Sequence, residues 1–143
     1  MEKITHNFQN EDTNSPVVKF RGLIKIQRLK TYLSLFKAIR ELHSEDIVHL
    51  DIKPDNFMTR ESFDLTGKDY PKIVLVDMGL AQPAGKLYKI GNLRYMHPTA
   101  FGRQDNFPMI KAFDVYSAIL SIIVIESYGH NTKSDYIFKK ANY

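Results

Sequence analysis

Nine consecutive positions, His49 to Phe57 (HLDIKPDNF), hold a histidine, two aspartates, a lysine, a proline and an asparagine between two apolar steps, Ile47–Val48 and Phe57–Met58. The apolar steps draw both ends of this stretch into a core. The polar groups between them must then find partners or face a ligand, because a buried polar group left unpaired costs about 1–3 kcal/mol. Two short strands flanking a loop fit this pattern best. Pro54 fixes its own φ and restricts the residues just before it, which helps hold the loop's shape.

Upstream, Leu29, Tyr32, Leu33, Phe36, Ile39 and Leu42 recur at helical spacing between Lys25 and Ser44, against a polar row of Lys30, Ser34, Lys37 and Glu41. That is an amphipathic helix whose apolar stripe needs a partner. Downstream, turn residues Gly67 and Pro71 precede the run Ile73 to Val76, which suits a buried strand and ends on Asp77. Glycines and prolines recur from Pro83 to Pro108 and predict irregular chain, a long loop of the kind that is usually functional.

In FDVYSAILSIIVIESYGH the isoleucines and valines favour a strand while the length favours a helix. Length decides. Asp114 is the expected N-cap and Gly129 the expected C-cap, and a helix apolar nearly all round is expected in the middle of a core. Ser117, Ser121 and Glu126 interrupt it too often for a membrane span, so no membrane partner is expected. The first sixteen residues lack periodicity and read as an irregular end.

A chain of 143 residues, 43% apolar, can bury one core. It has no cysteine, which excludes disulfides and thiolate metal sites. Its polar start, with both charge signs, lacks the apolar segment of a signal peptide, and an intracellular location, cytoplasm or nucleus, is expected. The net charge of +4 is spread among acidic residues without an arginine-rich run, so it reads as a solvated basic surface and no nucleic-acid partner is expected. The five histidines form no cluster.

HLDIKPDN resembles the catalytic loop of eukaryotic-type protein kinases: histidine, any residue, aspartate, four more, asparagine. Alone it would pass for a turn rich in Asx hydrogen bonds. In order after it come DMG (Asp77 to Gly79) where the family has Asp-Phe-Gly, GNLRYMHPT like the end of the activation segment, and FDVYS like the start of the buried central helix. The four matches span roughly Leu29 to Tyr128.

The resemblance implies an α+β, mostly helical fold: a partial kinase carboxy-terminal lobe over residues 17–143, with short strands around the catalytic loop and an irregular segment 1–16 before it. It implies Asp51 as catalytic base, Lys53 as the lysine that holds the transferred phosphate in serine/threonine kinases, and Asn56 and Asp77 as magnesium ligands, with ATP and Mg²⁺ as cofactors. His49 and Asp114 are implied as scaffold. The partner is then a protein substrate or another kinase.

The departures are as informative. Leu50 replaces the arginine that pairs with a phosphorylated activation loop, Met78 replaces phenylalanine, Asn92 replaces threonine, and Thr99 replaces the glutamate that anchors the segment. No G-x-G-x-x-G occurs, and the fifty residues before Asp51 are too few for a whole amino-terminal lobe. Lys19 in PVVKF only superficially matches the ATP-binding lysine of that lobe, because the span to Asp51 must also supply the helix. Two functions are expected from this pattern: a serine/threonine kinase present as a fragment, or a kinase-like module that engages or inhibits a partner kinase without transferring phosphate.

Overall fold

A computed structural model describes residues 6–7, 23–59, 69–87, 93–100, 108 and 110–127. Among these residues are two α-helices, α1 (Lys25–Ser44) and α2 (Lys111–Ser127), and five short strands. Strands β1 (His6–Asn7), β3 (Phe57–Thr59) and β4 (Ile73–Leu75) form an antiparallel sheet in the order β1-β3-β4. Strands β2 (Ile47–Val48) and β5 (Gln82–Pro83) form a separate antiparallel ribbon. This is a small mixed α and β arrangement in which the helices dominate.

The helix α1 has the bounds its spacing predicts, but a different face is buried. Gln27, Thr31, Tyr32, Leu35 and Ile39 face inward, while Leu29 and Leu33 are about half exposed. Two polar side chains can lie on the inner face because they find partners there. Gln27 Oε1 accepts the Ile24 N–H at 3.1 Å and its Nε2 donates to the Asp69 carbonyl at 3.0 Å; the Thr31 hydroxyl donates to the Gln27 carbonyl at 3.0 Å. Ser34, on the expected polar row, accepts the Ile73 N–H at 2.9 Å and so fixes β4 against α1. At the far end Asp46, with φ 57°, reverses the chain into β2.

The main core gathers Leu23, Tyr32, Leu35 and Ile39 with Ile52, Phe57, Ile73, Ala118 and Ile125. Phe57 and Leu35 are fully buried, each contributing about 1.5–3 kcal/mol of apolar burial. A smaller cluster joins Val48 to Phe113, with Leu50, Ala84 and Ala100 packed on it. The two steps that flank the polar loop, Val48 and Phe57, thus enter different clusters, and the loop spans the gap between them.

Four expectations need correction. Asp114 is not the N-cap of the last helix: α2 begins at Lys111, and Asp114 lies inside its first turn. That helix is not enclosed all round, since Val115, Ile119 and Ile123 are exposed, Ile123 by 53%. Its inner face carries the small Ser117, Ala118 and Ser121, which allow close approach, and the two serine hydroxyls bond backbone carbonyls. The amino-terminal stretch expected to be irregular contributes β1, its other positions lying outside the described residues. The β4 strand stops at Leu75, one residue earlier than expected. Gly129 and Asn92 lie outside the described residues. Among the described residues no helix is long and apolar enough to cross a membrane.

Candidate active site

The loop between β2 and β3 begins in left-handed backbone. Leu50 has φ 65°, a conformation that costs a residue with a Cβ about 1–2 kcal/mol. Asp114 holds it: Oδ2 accepts the His49 N–H at 2.8 Å and Oδ1 accepts the Leu50 N–H at 2.9 Å. His43 Nε2, at the end of α1, stands 2.9 Å from Asp114 Oδ2. A carboxylate only 1% exposed requires such partners. His49 is fully buried, and its Nδ1 accepts the Asp51 N–H at 3.3 Å. Its Nε2 is the one buried side-chain polar atom among the described residues without a hydrogen-bond partner.

Asp51 follows, buried, with Oδ2 held from two sides. Lys53 Nζ donates to it at 2.8 Å and Asn56 Nδ2 at 2.9 Å, while the same Nδ2 reaches the Asp51 carbonyl at 2.7 Å. A 3-10 turn, Pro54–Asn56, with Pro54 in its first turn, swings Asn56 back toward Asp51. The turn closes through the Asn56 N–H to the Lys53 carbonyl at 3.0 Å.

Asp77 arrives by strand pairing. Phe57 faces Leu75 across β3 and β4, and the Val76 N–H donates to the Asn56 carbonyl at 3.1 Å. Asp77 is the next residue, one step beyond the partner of Asn56. It is exposed and left-handed, with φ 61°, and its Oδ1 accepts the Gly79 N–H at 3.3 Å. Met78, the counterpart of an apolar plug, is 44% exposed. The structure therefore joins Asp51, Lys53 and Asn56 in one bonded group, while the carboxylate of Asp77 bonds within its own turn.

A magnesium ion fits the donors present. The amide nitrogen of Asn56 is committed to Asp51, and among the described residues the amide oxygen and Asp77 Oδ2 take no hydrogen bond. Magnesium prefers hard oxygen ligands and commonly takes one or two carboxylates while phosphate and water complete its shell. Among the described residues no cluster of three or more histidine, cysteine, aspartate or glutamate side chains could hold a metal without such help.

Two further groups were not legible from spacing. Desolvation by burial pushes the Asp55 carboxyl above its ordinary value, and the Asp51 charge adds to the rise; Lys53 and Arg94 pull the other way. Arg94 belongs to the distant GNLRYMHPT stretch, so only folding brings it into range. The anchoring of that stretch likewise depends on the fold. Ser117 Oγ on α2 lies 2.7 Å from the Tyr95 carbonyl, and the His97 ring stacks on Phe113 with centroids 5.5 Å apart and meets Tyr116 edge-on. Thr99, in the place of the expected glutamate, bonds His97 Nδ1 through its N–H at 3.2 Å and shares a 2.7 Å contact with it through its hydroxyl.

Comparison with known proteins identifies the family. The family model for the protein kinase domain matches residues 4–137. The human cell division cycle 7-related protein kinase is 42% identical over 60 residues, 41% of this chain and 9% of that protein. The negative regulator of sexual conjugation and meiosis of Schizosaccharomyces pombe is 36% identical over 69 residues, 47% of this chain and 13% of that protein. The probable serine/threonine-protein kinase fhkA of Dictyostelium discoideum is 41% identical over 51 residues, 36% of this chain and 8% of that protein. The chain thus spans about a tenth of the length of these relatives.

Proposed function

The chain belongs to the eukaryotic-type protein kinase family, and from that premise we propose that it carries the catalytic loop of a serine/threonine protein kinase, working as part of a longer or composite domain over residues 17–143. The observation that supports this best is the grip of Lys53 and Asn56 on a single oxygen of Asp51. It leaves the other carboxylate oxygen to accept the proton of a substrate hydroxyl as the hydroxyl oxygen attacks the γ-phosphorus of ATP and the bond to ADP breaks. Lys53, beside the base, supplies a cation for the transferred phosphate. Asn56 and Asp77 would hold magnesium, which when bound neutralises phosphate charge. The lysine next to the base and the serine/threonine kinases among the relatives support an alcohol acceptor over a phenol. An intracellular setting, where ATP is supplied, belongs to the same reading.

The test is magnesium-dependent transfer of labelled phosphate to a generic protein substrate, with a glycine-rich nucleotide-clamping segment supplied, followed by identification of the phosphorylated residue type. Asp51→Ala should lower the rate by about 10²–10⁴. Equal rates for both proteins, or label confined to tyrosine, would overturn the assignment.

A second reading has one observation in its favour: Lys53 is engaged by Asp51 at 2.8 Å instead of standing open to a phosphate. A kinase-like module that occupies a partner kinase would keep that closed pair. Inhibition of candidate kinases by wild type and by Asp77→Asn alike, with no transfer by either, would favour this second reading.

A further inference from the structure

The outward face of α1 is apolar along its first half and cationic at its edges. Ile26, Leu29 and Leu33 are exposed by 54%, 52% and 53%, and their spacing of three and then four residues lines them up over about two turns. The opposite face of the helix is committed to the core through Tyr32, Leu35 and Ile39, so rotation cannot hide these side chains. Exposed Lys25 borders one side of the line; exposed Lys30 and Lys37 border the other, and Arg40 continues it. The Lys30 ammonium stands 5.7 Å from the centre of the Tyr70 ring, which keeps that charge beside the seam. The helix has a single acidic residue, Glu41.

We propose that this face docks an amphipathic helix of a partner protein whose apolar seam is edged by glutamate or aspartate. Spacing of three and four residues is the pattern by which one helix packs its side chains between those of another, and charges flanking such a seam select the partner. Cationic edges therefore call for anionic ones. A second copy of the chain fits poorly, because either orientation sets lysines against lysines with one glutamate to offset them. An anionic bilayer fits less well than a helix, since the seam is a narrow line of three aliphatic residues without an aromatic anchor, unlike the broad apolar face of a membrane-surface helix.

The experiment uses the full chain and two synthetic three-heptad peptides with the same leucine and isoleucine seam, one flanked by glutamates and one by lysines. Binding is read by fluorescence anisotropy at low and at physiological salt. Vesicles of phosphatidylcholine with phosphatidylserine form a parallel arm, and light scattering reports the mass of the chain. The glutamate-flanked peptide should bind and the lysine-flanked one should bind at least roughly tenfold more weakly. Leu33→Asp should abolish binding, and Lys30→Glu combined with Lys37→Glu should reverse the preference between peptides. These positions are exposed, so circular dichroism and thermal midpoints should stay close to wild type. Failure of the glutamate-flanked peptide to bind, equal binding of both peptides, binding to vesicles alone, or a dimer dispersed by Leu33→Asp would each overturn the proposal.

Discussion

The carboxylate of Asp114 accepts the backbone N–H of Leu50 at 2.9 Å across 64 positions of sequence, and it holds that leucine in left-handed backbone. The other oxygen takes the neighbouring His49 N–H. Two donors, one charge and complete burial make this the point at which α2 fixes the shape of the loop carrying Asp51.

Asp114→Asn tests the relation. An amide offers one oxygen in place of two, and its NH₂ must face a backbone donor, so the variant loses a hydrogen bond and gains a donor-donor clash in the core. The expected cost is about 3 kcal/mol, read as a lowered urea midpoint with an unchanged slope. A loss below roughly 0.5 kcal/mol would mean that the loop keeps its strained form without this carboxylate.

Asp55 should make the protein less stable as pH rises through the acidic range. Burial raises its folded-state value above the ordinary 3.8, and Asp51 adds to the rise. The folded form therefore binds the proton more tightly than the unfolded one. The resulting stabilisation is fully present below pH 3.8 and is lost as pH climbs through the raised value. At neutral pH the charged Asp55 is a net cost. Asp55→Asn should then raise the thermal midpoint at pH 7 relative to wild type, with the difference shrinking toward pH 4. A midpoint lowered at pH 7 would show that pairing with Lys53 and Arg94 outweighs the burial.

Sequence and structure agree best where the signal is local. The bounds of α1 and the order of short strands around the polar loop follow from apolar spacing within a dozen residues. The buried face of α1 does not: Ile26, Leu29, Leu33, Leu35 and Ile39 spread over about half of the helix circumference, a stripe too wide for periodicity to fix which part of it is buried, and burial of Gln27 and Thr31 depends on partners that spacing cannot display. At the site, Asp51, Lys53 and Asn56 were named from the resemblance of HLDIKPDN to the kinase catalytic loop, and the hydrogen bonds that join them appear only in the structure. The pairing of Val76, just before Asp77, with Asn56 needed the β3–β4 register, and the influence of Arg94 on Asp55 needed the whole fold. Strand β2 was expected beside the loop and lies there, but it pairs with β5, a connection no local pattern announces.

Asn56 should tolerate alanine better than aspartate at neutral pH, although aspartate is nearly its shape. Its Nδ2 donates to Asp51 Oδ2 at 2.9 Å, and Asn56→Asp replaces that donor with a second carboxylate in a site only 5% exposed. Like charges at this range raise one another's proton affinity, so the variant should regain stability on acidification, whereas Asn56→Ala should show no comparable recovery. Urea midpoints of the two variants at pH 7 and at pH 4.5 make the comparison. Identical responses to pH would mean that the introduced carboxylate turns away from Asp51.

Gly79→Ala separates positioning of Asp77 from stability. Gly79 has no positive φ, so its backbone accepts alanine, but the added Cβ would lie 3.1 Å from Asp77 Oδ1, closer than side chains normally approach. Asp77 is exposed and can yield, at the cost of the 3.3 Å bond it accepts from the Gly79 N–H. The unfolding midpoint should therefore stay within about 0.5 kcal/mol of wild type, the range of ordinary surface changes. Under the proposed function a displaced carboxylate should weaken use of magnesium and ATP. Transfer by Gly79→Ala should need more magnesium than wild type to reach half its maximal rate, and raising magnesium should recover part of the loss. An unchanged magnesium dependence, with stability intact, would separate Asp77 from the metal and leave its hydrogen bond to Gly79 as a local turn closure.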